Sequence, residues 1–330
     1  MFDECVIRNT RFAPARFCAP LAGYTHSAFR RLLTEFGGCG AVWTEMLAAK
    51  QILRESFAAS PYLRRGAAES RLVFQLMVRE GDPLDRILGR LGEHGVEAVD
   101  LNLACDAMTI RAQQAGSALF ENLSALRAVV GQARRHWPGL LTAKIRLGSR
   151  RADWQASFGE RLRLLEENGV DAVTLHPRFF EDKFRRCARH ELLPWAASLT
   201  RLPLIANGDF TGPDSVRAQA EHLRPACAVM IGRMAIARPW LFSAWDGPVN
   251  VDHAVVWQRM FDNIVEDFPP AVALRRVQMF TKYFAANFAF GHQFYVAVSN
   301  APSLGEAQRQ AEDFFSRSPA TLAQPTVAGL

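Results

Sequence analysis

Polar side chains recur at one kind of place in this chain, at or just past the ends of short apolar runs. Pro20-Leu21-Ala22-Gly23 closes and follows the first run, Thr44-Glu45-Met46 ends the second, and Gln75 lies in the third. Asn102 ends the fourth with Cys105 just beyond it, Lys144 and Arg146 belong to the fifth, and His176 and Arg178 follow the sixth. Asn207-Gly208-Asp209 and Gly232-Arg233 come after the seventh and eighth. These last two suit a phosphate group: glycine lets backbone N–H groups approach the oxygens, and an arginine supplies a matching planar charge. Lys144 is the sharper sign. Only Lys50, Lys183 and Lys282 accompany it as lysines in a chain that otherwise favours arginine. Burying its ammonium inside an apolar run is costly unless an anion or acceptor offsets the lost hydration. A phosphorylated cofactor with an electron-rich ring would do so.

The elements that must position these groups follow from the runs themselves. Segments 17–20, 41–45, 72–77, 98–101, 141–145, 172–175, 204–206 and 226–231 are rich in Val, Ile, Leu and Phe. Amphipathic stretches lie between them, at 27–36, 83–94, 123–136, 153–168 and 213–223. Strands that are apolar nearly throughout, each followed by a helix, imply a parallel sheet covered on both faces. Eight such units fit a closed (β/α)8 TIM barrel, an α/β fold whose active site sits at the C-terminal ends of the strands. An open doubly wound sheet is the alternative, but it would want G-x-G-x-x-G after the first strand, where the chain has Pro20-Leu21-Ala22-Gly23-Tyr24-Thr25. Any one polar group here could equally be a satisfied core residue; eight strands ending alike at one face are harder to dismiss. The breaker Asp246-Gly247-Pro248 closes this domain at residue 245. Residues 246–330 read as a small all-α bundle, with helices at 253–267, 271–290 and 304–315 and a last dozen residues expected to fray.

Composition bounds the function classes. With 330 residues, 49% apolar and 22% charged, the chain is globular, and no apolar run approaches the roughly 20 residues of a spanning helix. The start, Met1-Phe2-Asp3-Glu4-Cys5, is acidic with no apolar stretch behind it, so a cytoplasmic protein is expected rather than an exported one. The six cysteines form no C-x-x-C pair, which speaks against zinc, iron–sulfur and disulfide frameworks; no metal is expected. The net charge is +6, yet six basic and seven acidic residues follow Val251, so the excess belongs to the barrel. A basic body suits a polyanionic partner.

In family order and at family-like spacing over about 230 residues, the chain resembles the tRNA-dihydrouridine synthases. The resemblance rests on Ala19-Pro-Leu-Ala-Gly-Tyr-Thr25 with Phe29-Arg30, Thr44-Glu45-Met46, Gln75-Leu76 and Asp100-Leu-Asn-Leu-Ala-Cys105. It continues through Lys144-Ile-Arg-Leu-Gly148, Leu175-His-Pro-Arg178, Ile205-Ala-Asn-Gly-Asp209 and Met230-Ile-Gly-Arg233 with Pro239-Trp240. It implies an FMN enzyme with NADPH as electron donor that reduces uridine in tRNA, working as a monomer. By the same resemblance Cys105 is the proton donor to C5. Pro20, Leu21, Ala22, Gln75, Lys144, His176, Asn207, Gly208, Asp209, Gly232 and Arg233 surround the cofactor. Asn102 and Arg178 face the substrate, and Arg275, Arg276 and Lys282 of the helical domain meet the RNA. Several positions depart from the family. Ala104-Cys105-Asp106 stands where Gly-Cys-Pro is usual, the following loop lacks its lysine and one glycine, and Phe180 and Phe184 replace an arginine and a tyrosine. Arg238 replaces a small polar residue, and Met234 a glycine. A flavin barrel acting on a free small molecule, or a barrel that binds RNA without catalysis, are the alternatives; a flavin-loaded protein and an RNA dependence of its reaction discriminate among the three.

Overall fold

A computed structural model describes residues 1–69, 71–183 and 185–327; Phe184 lies outside them. The chain opens with a hairpin of β1 (Cys5–Ile7) and β2 (Thr10–Phe12). Then β3 (Arg16–Cys18), α1 (Ser27–Phe36), β4 (Ala41–Trp43), the two-residue β5 (Leu47–Ala48), β6 (Leu72–Met77), α2 (Leu84–Glu93) and β7 (Ala98–Asn102) follow. Next come α3 (Met108–Arg111), α4 (Ser117–Glu121), α5 (Leu123–His136), β8 (Leu140–Arg146), α6 (Trp154–Glu167), β9 (Ala172–His176) and α7 (Leu193–Ser198). The barrel ends with β10 (Leu204–Asn207), α8 (Pro213–Arg217), β11 (Ala226–Ile231) and α9 (Arg233–Ala237). All strand pairs from β3 onward are parallel, and pairing of β4 with both β3 and β6 closes the eight-stranded barrel.

Alternation along the strands sorts the side chains. On β8, Leu141, Ala143 and Ile145 enter the core beneath the helices, whereas Leu140 joins Phe17, Trp43, Val73, Ala98 and Met230 inside the barrel. Thr142, Lys144 and Arg146 continue the Leu140 side upward. The hairpin that the sequence reading did not contain supplies Ile7 and Phe12 to this inner cluster, with Phe12 edge-on to Phe17 at 5.2 Å. It stoppers the N-terminal end of the barrel, so the polar layer has its opening at the other end.

The helical domain holds α10 (His253–Asp267), α11 (Pro270–Phe284), α12 (Gly291–Ser299) and α13 (Leu304–Ser316). Asp252 and Ser303 cap α10 and α13 by accepting backbone N–H groups, as capping residues do. The helix expected over 271–290 ends at Phe284, and a separate helix that was not expected, α12, begins at Gly291. Buried Asn287 donates to Phe284 O and Ala237 O at the junction, and the Gly291 backbone lies too close to Ala285 O for any side chain. The helix expected over 213–223 stops at Arg217, where Gln219 and Ala220 change to i−3 hydrogen bonds. α10 packs on α1 through one apolar core running from Phe29 and Leu33 to Met260 and Ile264. Asp267, whose side chain is shielded from solvent, adds polar ties to Ser27, Arg64 and, at 3.1 Å, Arg31. No helix among the described residues is long and apolar enough to cross a membrane.

The expected fraying of the C-terminus is corrected as far as Val327. Ala289 N–H donates to Ala320 O, and Leu322 N–H to Asn287 O, so the segment lies back on the molecule with Pro325 and Val327 buried. Residues 328–330 lie outside the described residues.

Candidate active site

Parallel register stacks the polar groups at neighbouring heights: Gln75 pairs with Asp100, Asp100 with Thr142, Asn102 with Lys144, Lys144 with Thr174 and Arg146 with His176. A buried relay results. Thr142 Oγ1 donates to Asp100 Oδ1 (2.6 Å), Gln75 Nε2 to Asp100 Oδ2 (2.7 Å), and Asn102 Nδ2 to Gln75 Oε1 (2.8 Å). Asn102 Oδ1 then accepts the backbone N–H groups of Ala104 (3.2 Å) and Cys105 (3.0 Å). The carboxamides are thereby fixed in orientation, since each amide of the relay has its oxygen and its nitrogen assigned by a partner.

Lys144 is buried in this layer and makes no hydrogen bond or ion pair to any described side chain. Burial brings its amine down to about 8, with the Arg146 charge adding to the effect and Asp100 and Cys105 opposing it. Burial likewise raises Asp100 to about 6 against its hydrogen bonds from Gln75 and Thr142 and the Lys144 charge. His176 is held well below the usual histidine range by burial and by Lys144, Arg146, Arg178 and Arg233, so it is neutral. Because an arginine can only donate, the 2.8 Å contact from Arg178 Nη1 makes His176 Nε2 the acceptor and leaves the ring proton on Nδ1.

The corner where the sequence leads one to expect a phosphate is built from the ends of β10 and β11. Asn207 Nδ2 donates to Met230 O at 2.8 Å and ties the two strands. Gly208 has a φ of +120°, and a Cβ there would lie 2.7 Å from Ala188 Cβ and 2.8 Å from His176 Cδ2, so only glycine fits. His190 Nε2 meets Gly208 O at 3.0 Å while its ring stacks on Phe210. Pro20 and Leu21 are half-buried at the mouth, Ala22 is exposed, and Leu21 faces Gly232. Asp209, expected at the cofactor, accepts from Arg178 Nη2 at 2.6 and 2.8 Å and lies 3.4 Å from Arg233 Nη2. It orders the two guanidinium groups from the side.

Of the expected RNA contacts, Arg178 is buried and Arg276 is half-buried at the domain interface. Arg178 is 2% exposed, and besides Asp209 and His176 it reaches Arg186 O. Arg276 of α11 sits at the domain interface, donating to Tyr62 Oη (2.8 Å) between the rings of Tyr62 and Phe268, with Nη1 3.6 Å from buried Glu45. Arg276, Tyr62 and Glu45, together with Gln51 and Glu55, line a cavity of about 270 Å³. Arg275 is exposed and Lys282 half-buried on α11.

Three further features shape the site. Arg146, which the sequence already sets on the same strand as Lys144, lies beside it on the inner face, within electrostatic range of Cys105, Asp106 and Arg178. Secondly, Asp106 accepts from Arg111 Nη1 (2.8 Å) and Ser117 Oγ (2.9 Å), and Ser117 N–H closes on Cys105 O (2.9 Å). Gly116 makes this closure possible, because a Cβ there would lie 2.5 Å from Cys105 O. The unusual Asp106 is thus part of a clasp that holds the half-buried Cys105. Thirdly, the loops after β8 and β9 interlock around Asp182, which is 1% exposed and pairs with Arg150 and Arg189 (both 2.6 Å) and Arg186 (3.6 Å). Arg150 and Arg189 also flank the Phe179 ring. Arg150, Arg151, Lys183, Arg185 and Arg186 are exposed there, a basic rim on the side of the opening. Phe180 is buried against Phe120. Among the described residues no group of three or more His, Cys, Asp and Glu side chains is placed to hold a metal ion.

Comparison with known proteins adds to this geometry. The sequence pattern of the family described as Dihydrouridine synthase (Dus) matches residues 17–317. The chain is 30% identical over 226 residues to the tRNA-dihydrouridine synthase B of Salmonella typhimurium, covering 68% of each chain. It is 26% identical over 243 residues to that of Pasteurella multocida, covering 73% of this chain and 71% of the other. Among solved structures, the old yellow enzyme from Trypanosoma cruzi aligns with a TM-score of 0.54 at 10% identity, over 81% of this chain and 98% of its own; this is a likeness of fold.

Proposed function

The chain belongs to the dihydrouridine synthase family, and from that premise we propose that it reduces the C5=C6 bond of uridine in tRNA, with FMN as resident cofactor and NADPH as electron donor. The observation that carries this reading is the buried ammonium of Lys144 at the mouth of the barrel, which has no hydrogen-bond or ion-pair partner among the described side chains. It fits an anionic, electron-rich ring, and the Gly208 cradle with Arg233 fits a phosphate at the other end. When bound, reduced FMN supplies the hydride that adds to C6 of the uracil.

The chain's own residues supply the rest. Gln75 and Asn102, locked by Asp100, present amide groups to ring edges without reorganising. Cys105 Sγ gives its proton to C5, so that hydride and proton together saturate one C=C bond. The thiolate left behind lies within electrostatic range of Lys144 and Arg146 and regains its proton from solvent. Neutral His176 and the Asp209–Arg178 pair stiffen the wall beneath the phosphate. The basic rim from Arg150 to Arg186 attracts the RNA backbone toward the opening. A cytoplasmic monomer goes with this reading.

Single-turnover oxidation of the reduced protein by unmodified tRNA tests it. Cys105→Ala is expected to keep flavin binding and reduction by NADPH but to slow uridine reduction by ~10²–10⁴-fold. A rate within a few-fold of wild type places the acid elsewhere. Turnover of free enones or pyrimidines that is indifferent to tRNA overturns the RNA reading in favour of a small-molecule enzyme.

A further inference from the structure

The segment 319–327 is held against Arg233, the arginine assigned above to the cofactor's phosphate, and the residue that holds it is one in which this chain departs from its family. Arg238 uses every face of its guanidinium for the task. Nε donates to Asn287 Oδ1 (2.9 Å), Nη1 to Ala323 O (3.1 Å) and Nη2 to Leu322 O (2.6 Å). Asn287 is itself anchored on Ala237 O and Phe284 O, so the clamp is tied to both domains. At the other end of the same short helix, Arg233 Nη1 lies 3.4 Å from Val327 O. α9 therefore grips the segment twice, with Arg238 at 322–323 and Arg233 at 327. The grip is reinforced by the Phe288–Thr321 bridge and by burial of Val327. No charged residue follows Arg317, so the segment can lie beside a phosphate without repelling it.

We propose that residues 319–327 form a further wall of the cofactor site, a strap over its phosphate corner that slows cofactor exit, with Arg238 as its positioning residue. This rests on the FMN reading above. The strap and the phosphate meet at one guanidinium, so strap opening and phosphate release are coupled through Arg233. Loss of one charge-assisted hydrogen bond corresponds to about tenfold in the opening equilibrium.

The test uses the full chain loaded with FMN, Arg238→Ala, and a chain ending at Ser318. FMN release is followed by the rise in free-flavin fluorescence after dilution into a flavin-scavenging apoprotein. Both variants are expected to release FMN about tenfold faster or more. Release of riboflavin, which lacks the phosphate, should stay as in the full chain. In an Arg233→Ala background, Arg238→Ala should add little, as residues acting through one contact do. Release within twofold of the full chain in Arg238→Ala refutes the strap while leaving FMN binding intact. Equal acceleration for FMN and riboflavin refutes its action on the phosphate. A full chain that takes up no FMN refutes the cofactor reading and the strap with it. If the shortened chain fails to fold, Arg238→Ala decides alone.

Discussion

Replacing Lys144 by methionine should stabilise the flavin-free protein and cripple the loaded one. The ammonium is buried with no partner among the described side chains, and its drop from 10.5 to about 8 corresponds to about 3 kcal/mol of penalty on the charged form. The sign follows from proton counting. Below pH 8 the amine is protonated in both the folded and the unfolded chain, and the penalty stands in full. Between about 8 and 10.5 the unfolded chain binds the extra proton, so wild-type stability climbs with pH; above 10.5 this contribution is spent. Methionine keeps the length of the side chain and removes the charge. Lys144→Met apoprotein is therefore expected to be more stable than wild type by up to about 3 kcal/mol at pH 7, the gain shrinking toward zero by pH 10.5. Urea unfolding of flavin-free protein at pH 7 and pH 10 measures it, and FMN should stabilise the variant far less than the wild type. An apoprotein variant no more stable than wild type at pH 7, or a gain that ignores pH, would mean that the ammonium already has its compensation and that an anionic ring is not what it awaits.

Three further outcomes are expected. Asp106→Ala opens the clasp of Arg111 and Ser117, so single-turnover uridine reduction should fall ~10–100-fold while FMN occupancy stays unchanged. Asp182→Asn leaves Arg150, Arg186 and Arg189 crowded without their shared carboxylate, and a loss of about 3–5 kcal/mol in urea unfolding is expected. The double change Arg185→Ala/Arg186→Ala should flatten the salt dependence of tRNA affinity by about one to two phosphates' worth of slope, measured by filter binding across salt, whereas Arg275→Ala probes the helical domain in the same assay.

The helical domain does not stand apart from this chemistry. Gly23, on the loop after β3, lies against the end of the Met279 side chain, and Tyr24 packs edge-on to Tyr283 at 5.3 Å. Together with the Arg276–Glu45 contact, these fix α11 against the rim of the barrel. The opening of the site is thus walled by two domains sharing one core, and a change in α11 reaches the strand ends by direct contact.

Local signals determined much of what the sequence showed. Helices over 27–36, 123–136 and 253–267 fall where apolar periodicity and capping put them, and the eight barrel strands are the eight apolar runs. Gln75, Asn102, Lys144, His176 and Asn207 were visible because a polar residue inside an apolar strand needs a reason, and strand alternation turns all of them inward. Charged loop residues carried no such mark. Arg178, Arg276 and Arg186 look alike in sequence, yet one is buried on Asp209, one spans the domain interface and one is exposed on the rim. The Asp106 clasp, the Asp182 hub and the Arg238 grip on residues 322–323 were equally invisible. Each depends on which distant segment arrives opposite the side chain, and an arginine reads the same whether it meets water, a carboxylate or a carbonyl. Apolar period is a property of neighbours along the chain; the partner of a charge is decided only when the barrel closes and the helices dock.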